Sequence, residues 1–246
     1  MSATHPLSGF HAVTARLRAL PDSVRDIYVA VSRHDRRARD LIERAEAAGI
    51  AVHAVDDARL AALAGNDKHQ GVVAVVDAAT PYRTLDEILD GLSEPALLLV
   101  LDGVTDPHNL GACLRNADAF GAQAVVVPRD RAVGVNATVA KSASGAADTV
   151  PVVSVTNLAR SLRELKERGV WIVGADASGQ ESLFDADLSG PIAWVLGGEG
   201  AGLRRLTRES CDRLIKIPLQ GTVESLNVSV AASLCLYETR RQRARR

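Results

Sequence analysis

Three short stretches of the sequence combine glycine with polar and charged residues in a way that could serve chemistry. The first runs Asp102-Gly-Val-Thr-Asp-Pro-His-Asn-Leu-Gly-Ala-Cys-Leu-Arg-Asn-Ala, ending at Ala117. Asn109 stands where a helix start wants an N-cap, and Arg115 follows well inside the helix. An arginine there can offer a planar fork of donors to a phosphate or carboxylate. It can equally be a surface ion-pair partner, and Asn109 a plain cap. The second stretch, Trp194-Val-Leu-Gly-Gly-Glu-Gly-Ala-Gly-Leu-Arg204, has glycines at 197, 198, 200 and 202. Glycine lets backbone approach a ligand closely or adopt positive φ. The spacing is not G-x-G-x-x-G, and Glu199 inside the loop would repel a pyrophosphate. A Rossmann-type oxidoreductase is therefore disfavoured, while a loop for a neutral or cationic ligand stays open. The third stretch runs from Ile217 through Pro218 and Gln220-Gly221 to Ser225, Asn227 and Ser233. Ser225 and Asn227 sit at the start of the last helix, where both types also satisfy orphan N–H groups.

Each stretch must be held at the end of a strand. The pattern predicts strands at Ala96–Leu101, Ala124–Val127, Val150–Val153, Val170–Gly174, Ile192–Leu196 and Leu214–Ile217. Helices are predicted at Leu110–Phe120, at Asn157–Arg168 and from Leu226 to the end. Continuous apolar strands alternating with helices imply an α/β fold, a mostly parallel sheet covered on both faces. Ligands of such sheets bind beyond the carboxyl ends of strands, where the three stretches begin. A smaller α/β unit precedes this one, with strands at Ile27–Val31, Ile50–Val55 and Val72–Val76. Between the first two, Leu41, Ile42 and Ala45 mark a helix over Arg36–Ala48, ended by Gly49. Breakers at Thr80-Pro81 and Ser93-Glu94-Pro95 flank a short amphipathic piece, Leu85–Leu89. The division expected is a front domain over 1–76, a linker over 77–95 and a second domain over 96–246.

Composition narrows the class. With 47% hydrophobic and 24% charged residues in 246, the chain is that of a folded globular protein. Aromatics at 3% leave the cores to Ala, Val and Leu. A net charge of −1 rules out a global basic field, so nucleic-acid binding would need local patches. One candidate is Arg240, Arg241, Arg243, Arg245 and Arg246; the plainer reading is a solvated helix end favoured by the dipole. Cys113, Cys211 and Cys235 are scattered, which suggests neither a disulfide framework nor a metal site. No signal peptide or membrane-length apolar stretch is evident, so the expectation is a cytoplasmic protein.

In this order, the three stretches resemble the SpoU/TrmH branch of the SPOUT superfamily of RNA methyltransferases. The likeness is carried by N-x-G-x-x-x-R at Asn109–Arg115, L-G-G-E-G-x-G-L at 196–203 and I-P-x-x-G-x-x-x-S-L-N-V-S at 217–229. Lys141-Ser-Ala-Ser-Gly-Ala-Ala147 and Val150-Pro151-Val152 fit the family's middle portion. Ser8-Gly-Phe-His-Ala-Val13 and Lys68-His-Gln-Gly-Val-Val-Ala74 resemble its small substrate-binding unit, so the likeness spans nearly the whole chain. No motif position departs from the pattern. The resemblance is nearest to the family's bacterial enzymes that methylate a guanosine ribose in 23S ribosomal RNA.

The resemblance implies a C-terminal SPOUT α/β-knot catalytic domain, a deep trefoil, behind a small N-terminal α/β (L30e-like) substrate-binding domain. It implies a homodimer that uses S-adenosyl-L-methionine and no metal, acting on 23S rRNA or a ribosomal precursor. Cofactor contacts fall by resemblance on Gly197, Gly198, Ile217 and Leu226, mostly through backbone. Arg115 becomes the central catalytic residue, with Asn109, Glu199, Ser225 and Asn227 positioning it and the nucleophile. Because guanidinium stays protonated below a pKa of about 12, its conservative role is to grip a phosphate and stabilise the emerging alkoxide. Lys68, His69 and Arg33–Arg39 are expected phosphate contacts in the front domain. A tRNA ribose methyltransferase, an antibiotic-resistance rRNA methyltransferase and a non-catalytic RNA-binding protein are the alternatives.

Overall fold

In the computed structural model, residues 4–19, 21–67, 69–77, 84–198, 200 and 202–245 are described. They form two compact units, one of Met1–Pro81 with Ser144–Thr149 and one of Tyr82–Ala143 with Val150–Arg246.

The first unit contains β1 (Thr4–Ser8), α1 (Phe10–Ala19), β2 (Val24–Ala30), α2 (Arg36–Ala47), β3 (Ala51–Val55), α3 (Asp57–Ala64) and β4 (Val72–Asp77). A short α7 (Ala146–Thr149) joins it. The sheet order is β1-β4-β2-β3, with β2 and β3 parallel and β4 antiparallel to β1 and β2. The apolar stripe of α2, Ala38, Leu41 and Ala45, is buried. It joins a core with Val13, Ile27, Val72, Ala74 and Val76. Asp35 caps that helix by accepting from Ala38 N–H at 3.1 Å. Past its end, Gly49 takes φ +71°, which only glycine adopts without strain. Periodicity alone assigns no element at β1, α1 or α3.

The second unit contains α4 (Leu85–Asp90), β5 (Leu97–Asp102), α5 (Pro107–Ala119), β6 (Ala124–Pro128), α6 (Ala137–Ala143) and β7 (Val152–Val155). It continues with α8 (Leu158–Glu167), β8 (Trp171–Ala175), β9 (Glu181–Ser182), β10 (Ile192–Gly197), α9 (Arg205–Glu209), β11 (Arg213–Lys216) and α10 (Val228–Arg243). Its seven strands are all parallel, in the order β7-β6-β5-β10-β8-β11-β9. The six predicted strands are present, with β5, β8 and β11 shifted by one residue and β7 by two. Every residue of β5 is buried, as a central strand flanked on both faces requires. One face of the sheet, through Leu98, Val100, Ala193 and Val195, packs on Leu158, Leu162 and Leu165 of α8. On the other face the Trp194 indole donates to Thr239 Oγ1 of α10 at 2.9 Å. From β5 the chain winds outward to β7, then returns to β8 on the far side of β10. That reversal is a topological switch point, where parallel sheets open a crevice for ligands.

Two expectations need correction. Asn109 does not cap a helix beginning at Leu110. The helix starts at Pro107, with Asp106 as cap accepting from His108 N–H at 2.9 Å. Asp followed by Pro at the first helical position is the stronger start signal. The basic end of α10 is not a merely solvated helix end either. Arg240 pairs with Glu94, Arg241 with Glu238, and Arg243 donates to the carbonyls of Pro95, Ala96 and Gly190.

No described helix is long and apolar enough to cross a membrane.

Candidate active site

The ends of β5 and β10 are neighbours, with Gly197 in register with Asp102. The Asp102 side chain is wholly buried. Its Oδ2 accepts the backbone N–H of Arg204 at 2.9 Å, and its Oδ1 the Nε–H of Arg204 at 2.6 Å. The Asp102 carbonyl accepts Gly198 N–H at 3.0 Å. One residue therefore grips the glycine loop near both ends. Within the loop Gly198 and Gly202 form an antiparallel bridge. A Cβ at Gly197 would lie 2.0 Å from the Gly202 carbonyl carbon, and one at Gly198 would lie 2.5 Å from the Gly103 oxygen. These glycines are needed because backbone packs directly on backbone.

Beside this loop opens a cavity of about 550 Å³, within the roughly 300–1,000 Å³ typical of small-molecule sites. Gly197, Gly198, Ile217, Ser225, Leu226 and Asn227 all line it. The four expected cofactor contacts thus converge from two distant stretches of chain. Ser225 and Asn227 are exposed at the rim. Asn227 caps α10, its Oδ1 accepting from Ser229 N–H at 2.9 Å, whereas Ser225 lies in the preceding loop, outside the helix start expected for it. Glu199 lies outside the described residues, as does Lys68.

Asn109 and Arg115 do not line the cavity. Asn109 is buried in α5, and its Oδ1 accepts from Asn227 Nδ2 at 3.0 Å. Two turns further along the same helix, Asn116 Nδ2 donates to the Ser229 carbonyl at 2.7 Å. The two asparagines fasten α5 to the start of α10. The glycine of the N-x-G motif has a packing reason, since a Cβ at Gly111 would lie 2.4 Å from Ser142 Cβ on α6. Arg115 is exposed and forms no ion pair among the described residues, leaving its guanidinium available to solvent or a ligand.

Sequence reasoning missed Asp102, Asp176 and Glu224. Asp102 and Asp176 are near strand ends, where a search for single motifs has no periodic signal to follow. The thiols are not candidates for nucleophiles: burial pushes Cys113 and Cys211 up to about 12 and Cys235 higher still. No group of His, Cys, Asp or Glu among the described residues could hold a metal.

The residues fit S-adenosylmethionine. Apolar walls from Leu196, Ile217, Leu226, Val228 and Ala231 suit an adenine ring, and Glu224 is a favourable neighbour for a cationic ligand.

A parallel α/β sheet with a glycine-loop cavity at its switch point defines a nucleotide-type ligand site. The profile of the SpoU rRNA Methylase family matches residues 96–237, and that for RNA 2′-O ribose methyltransferase substrate binding matches residues 6–82. The chain belongs to the SpoU rRNA methylase family and is an RNA 2′-O-ribose methyltransferase. It is similar to the 23S rRNA (guanosine-2′-O-)-methyltransferase RlmB of Ralstonia nicotianae, 59% identical over 244 residues, 99% of this chain and 98% of that one. The protein of the same name from Nitrosomonas europaea is 58% identical over 246 residues, 100% of this chain and 95% of that one. Among solved structures, the SpoU methyltransferase AviRb from Streptomyces viridochromogenes, in complex with AdoMet, is similar at a TM-score of 0.76 and 28% identity. That likeness covers 99% of this chain and 92% of the other.

Proposed function

We propose that the protein methylates the ribose 2′-hydroxyl of a guanosine in 23S rRNA with S-adenosylmethionine. The observation that carries this reading is the convergence of Gly197, Gly198, Ile217 and Leu226 on one cavity at the switch point. The names of the relatives supply the base and the RNA. S-adenosylmethionine supplies a methyl group on a sulfonium, open to attack by an oxygen nucleophile.

The backbone at Gly197, Gly198, Ile217 and Leu226 holds the adenine, reading its edges with main-chain N–H and C=O groups. Arg115 grips the phosphate beside the target ribose and stabilises the alkoxide as the 2′-proton passes to solvent water; the oxygen takes the methyl and the sulfur keeps the bonding pair, leaving S-adenosylhomocysteine. Asn109 and Asn227, joined by their hydrogen bond, fix α5 relative to the cavity rim, and Ser225 and Glu199 orient the nucleophile. Holding the hydroxyl in line with the methyl can supply roughly 7–11 kcal/mol in well-oriented cases.

The front domain, 1–76, recognises unpaired RNA. Support comes from a cavity of about 600 Å³ in the first unit, lined by Arg33, His69 and Gln70 among others. Domain 96–246 carries the chemistry, joined through 77–95. The knot is read from family membership, the homodimer from Val230, Leu234 and Tyr237, an exposed apolar stripe along α10, and the cytoplasm from the ribosomal substrate.

The test is transfer of labelled methyl from S-adenosylmethionine to unmodified 23S rRNA, as naked transcript and as ribosomal precursor, followed by mapping of alkali-resistant dinucleotides. One resistant Gm site is expected. Transfer to tRNA alone would move the substrate, and no transfer to any RNA would sink the reading.

A further inference from the structure

The cavity's described lining holds two carboxylates, Asp176 and Glu224. Glu224 is exposed in the loop before α10, whereas the Asp176 side chain is only 13% exposed, just past the end of β8. β8 lies between β10 and β11, so Asp176 is set among the loops that form the cavity. Its backbone N–H donates to the Ile215 carbonyl at 3.0 Å, two residues before Ile217, and Ala175 pairs with Leu196, next to Gly197.

The carboxylate is also held in a fixed orientation. Oδ1 accepts Ser178 N–H at 2.9 Å and Ser178 Oγ–H at 2.7 Å, and Oδ2 accepts Arg208 Nη1–H at 2.9 Å. A carboxylate offers about four lone-pair sites, so these three donors leave room for one more. Arg208 neutralises the charge, which makes the pair a poor attractor for a distant cation and a good acceptor for a neutral O–H. The flanking Ala175 and Ala177 also line the cavity and, being small, add little bulk beside the carboxylate.

Resting on the adenosyl-cofactor reading above, we propose that Asp176 accepts a hydrogen bond from the cofactor's ribose hydroxyls and so selects a ribonucleoside. The base is held at Gly197, Gly198, Ile217 and Leu226, and the sugar is the next group bonded to it. Among the described polar side chains lining the cavity, Asp176 is the one just past a strand end next to those residues.

The experiment is calorimetry on the full chain with S-adenosylhomocysteine and its 2′-deoxy and 3′-deoxy analogues. The wild type is expected to lose roughly 10- to 100-fold in affinity for at least one deoxy analogue, as for a hydrogen bond to a charged group. Asp176→Ala should bind S-adenosylhomocysteine more weakly by a similar factor and no longer distinguish that analogue. Asp176→Asn, of the same size, covers the case in which the alanine variant does not fold, and should show a reduced deoxy penalty. Arg208→Ala, which keeps the carboxylate, should retain the penalty. If Asp176 only braced the strand end, Asp176→Ala would weaken all three ligands equally and leave the penalty intact, overturning the proposal. A wild type that binds S-adenosylhomocysteine without any deoxy penalty overturns it while sparing the cofactor reading. A wild type that binds none of them overturns both.

Discussion

Asp102 and Arg204 are 102 positions apart, yet the buried carboxylate of the first takes both the backbone N–H and the guanidinium of the second. Because Asp102 also accepts Gly198 N–H through its carbonyl, the strand end of β5 sets the shape of the loop following β10. Arg204 keeps 40% of its side chain exposed and can return to water if the partner is lost. Asp102→Ala should therefore cost about 2–3 kcal/mol, the scale of a charge-assisted bond, rather than the larger cost of stranding a buried charge. Urea denaturation with unchanged m-value checks it, and S-adenosylhomocysteine affinity should fall at least ~10-fold. Unaltered stability and affinity together would mean that the clamp does not shape the loop.

The glycine loop gives a sharper contrast. At Gly198 a methyl group meets the Gly103 oxygen at 2.5 Å, and neither atom belongs to a flexible side chain. Gly198→Ala must displace backbone at the cavity mouth, at a cost of about 1–3 kcal/mol for such overpacking. The expected outcome is a folded protein by circular dichroism whose cofactor affinity drops by ~100-fold or more. Binding within a factor of two of the wild type would show that the loop does not touch the cofactor.

How much of this was legible beforehand depends on how local each determinant is. The parallel sheet could be read because β5 and β10 are unbroken apolar runs, a pattern that local composition carries. Helix α1 could not, since its apolar face is interrupted by Arg16, a wholly buried arginine whose partners Ser23, Asp77 and Asp148 are spread along the chain. Asn109 was misread for a related reason. An asparagine just after a glycine- and proline-containing turn looks like a cap, and its bond to Asn227 spans 118 positions. The motif residues came from resemblance. Asp176 belongs to none of the three stretches and Asp102 only opens the first, because what gives both of them meaning is strand order.

The Asn109–Asn227 pair permits a direct measurement. Asn227→Ala removes both a cap and the link to α5, so about 1–2 kcal/mol should be lost. Asn109→Ala removes the link but keeps the cap, because Asn227 Oδ1 still accepts from Ser229 N–H. A double-mutant cycle should return a coupling of about 1 kcal/mol. Strict additivity would indicate that the contact contributes no energy of its own.

The role proposed for Arg115 predicts a separation of binding from turnover. It lines no part of the cavity and has no ion-pair partner among the described residues, so removing it should leave both fold and cofactor affinity unchanged. Arg115→Ala should lower methyl transfer by ~10²–10³-fold, the scale for losing one electrostatic stabiliser. Arg115→Lys should recover part of that, since a single ammonium cannot reproduce a planar fork. Full turnover in the alanine variant would remove Arg115 from the site.

The last prediction concerns acid. Glu94 meets Arg240 through two bonds of 2.9 Å, joining the start of β5 to α10. That hydrogen bonding, with Coulombic attraction to the same guanidinium, holds the Glu94 carboxyl below its usual range. Because the folded-state value is the lower one, the stabilisation is complete above the unfolded carboxyl's value, about 4.3. It is lost as pH falls through the folded value. With nearly half the Glu94 side chain exposed, solvent screening limits the effect to about 0.5–1 kcal/mol. Glu94→Gln should therefore be less stable than the wild type by that amount at pH 7, with the gap closing progressively below about pH 4. Urea titrations at pH 7 and pH 3 decide it, because a gap of equal size at both would show that the pair's charge plays no part.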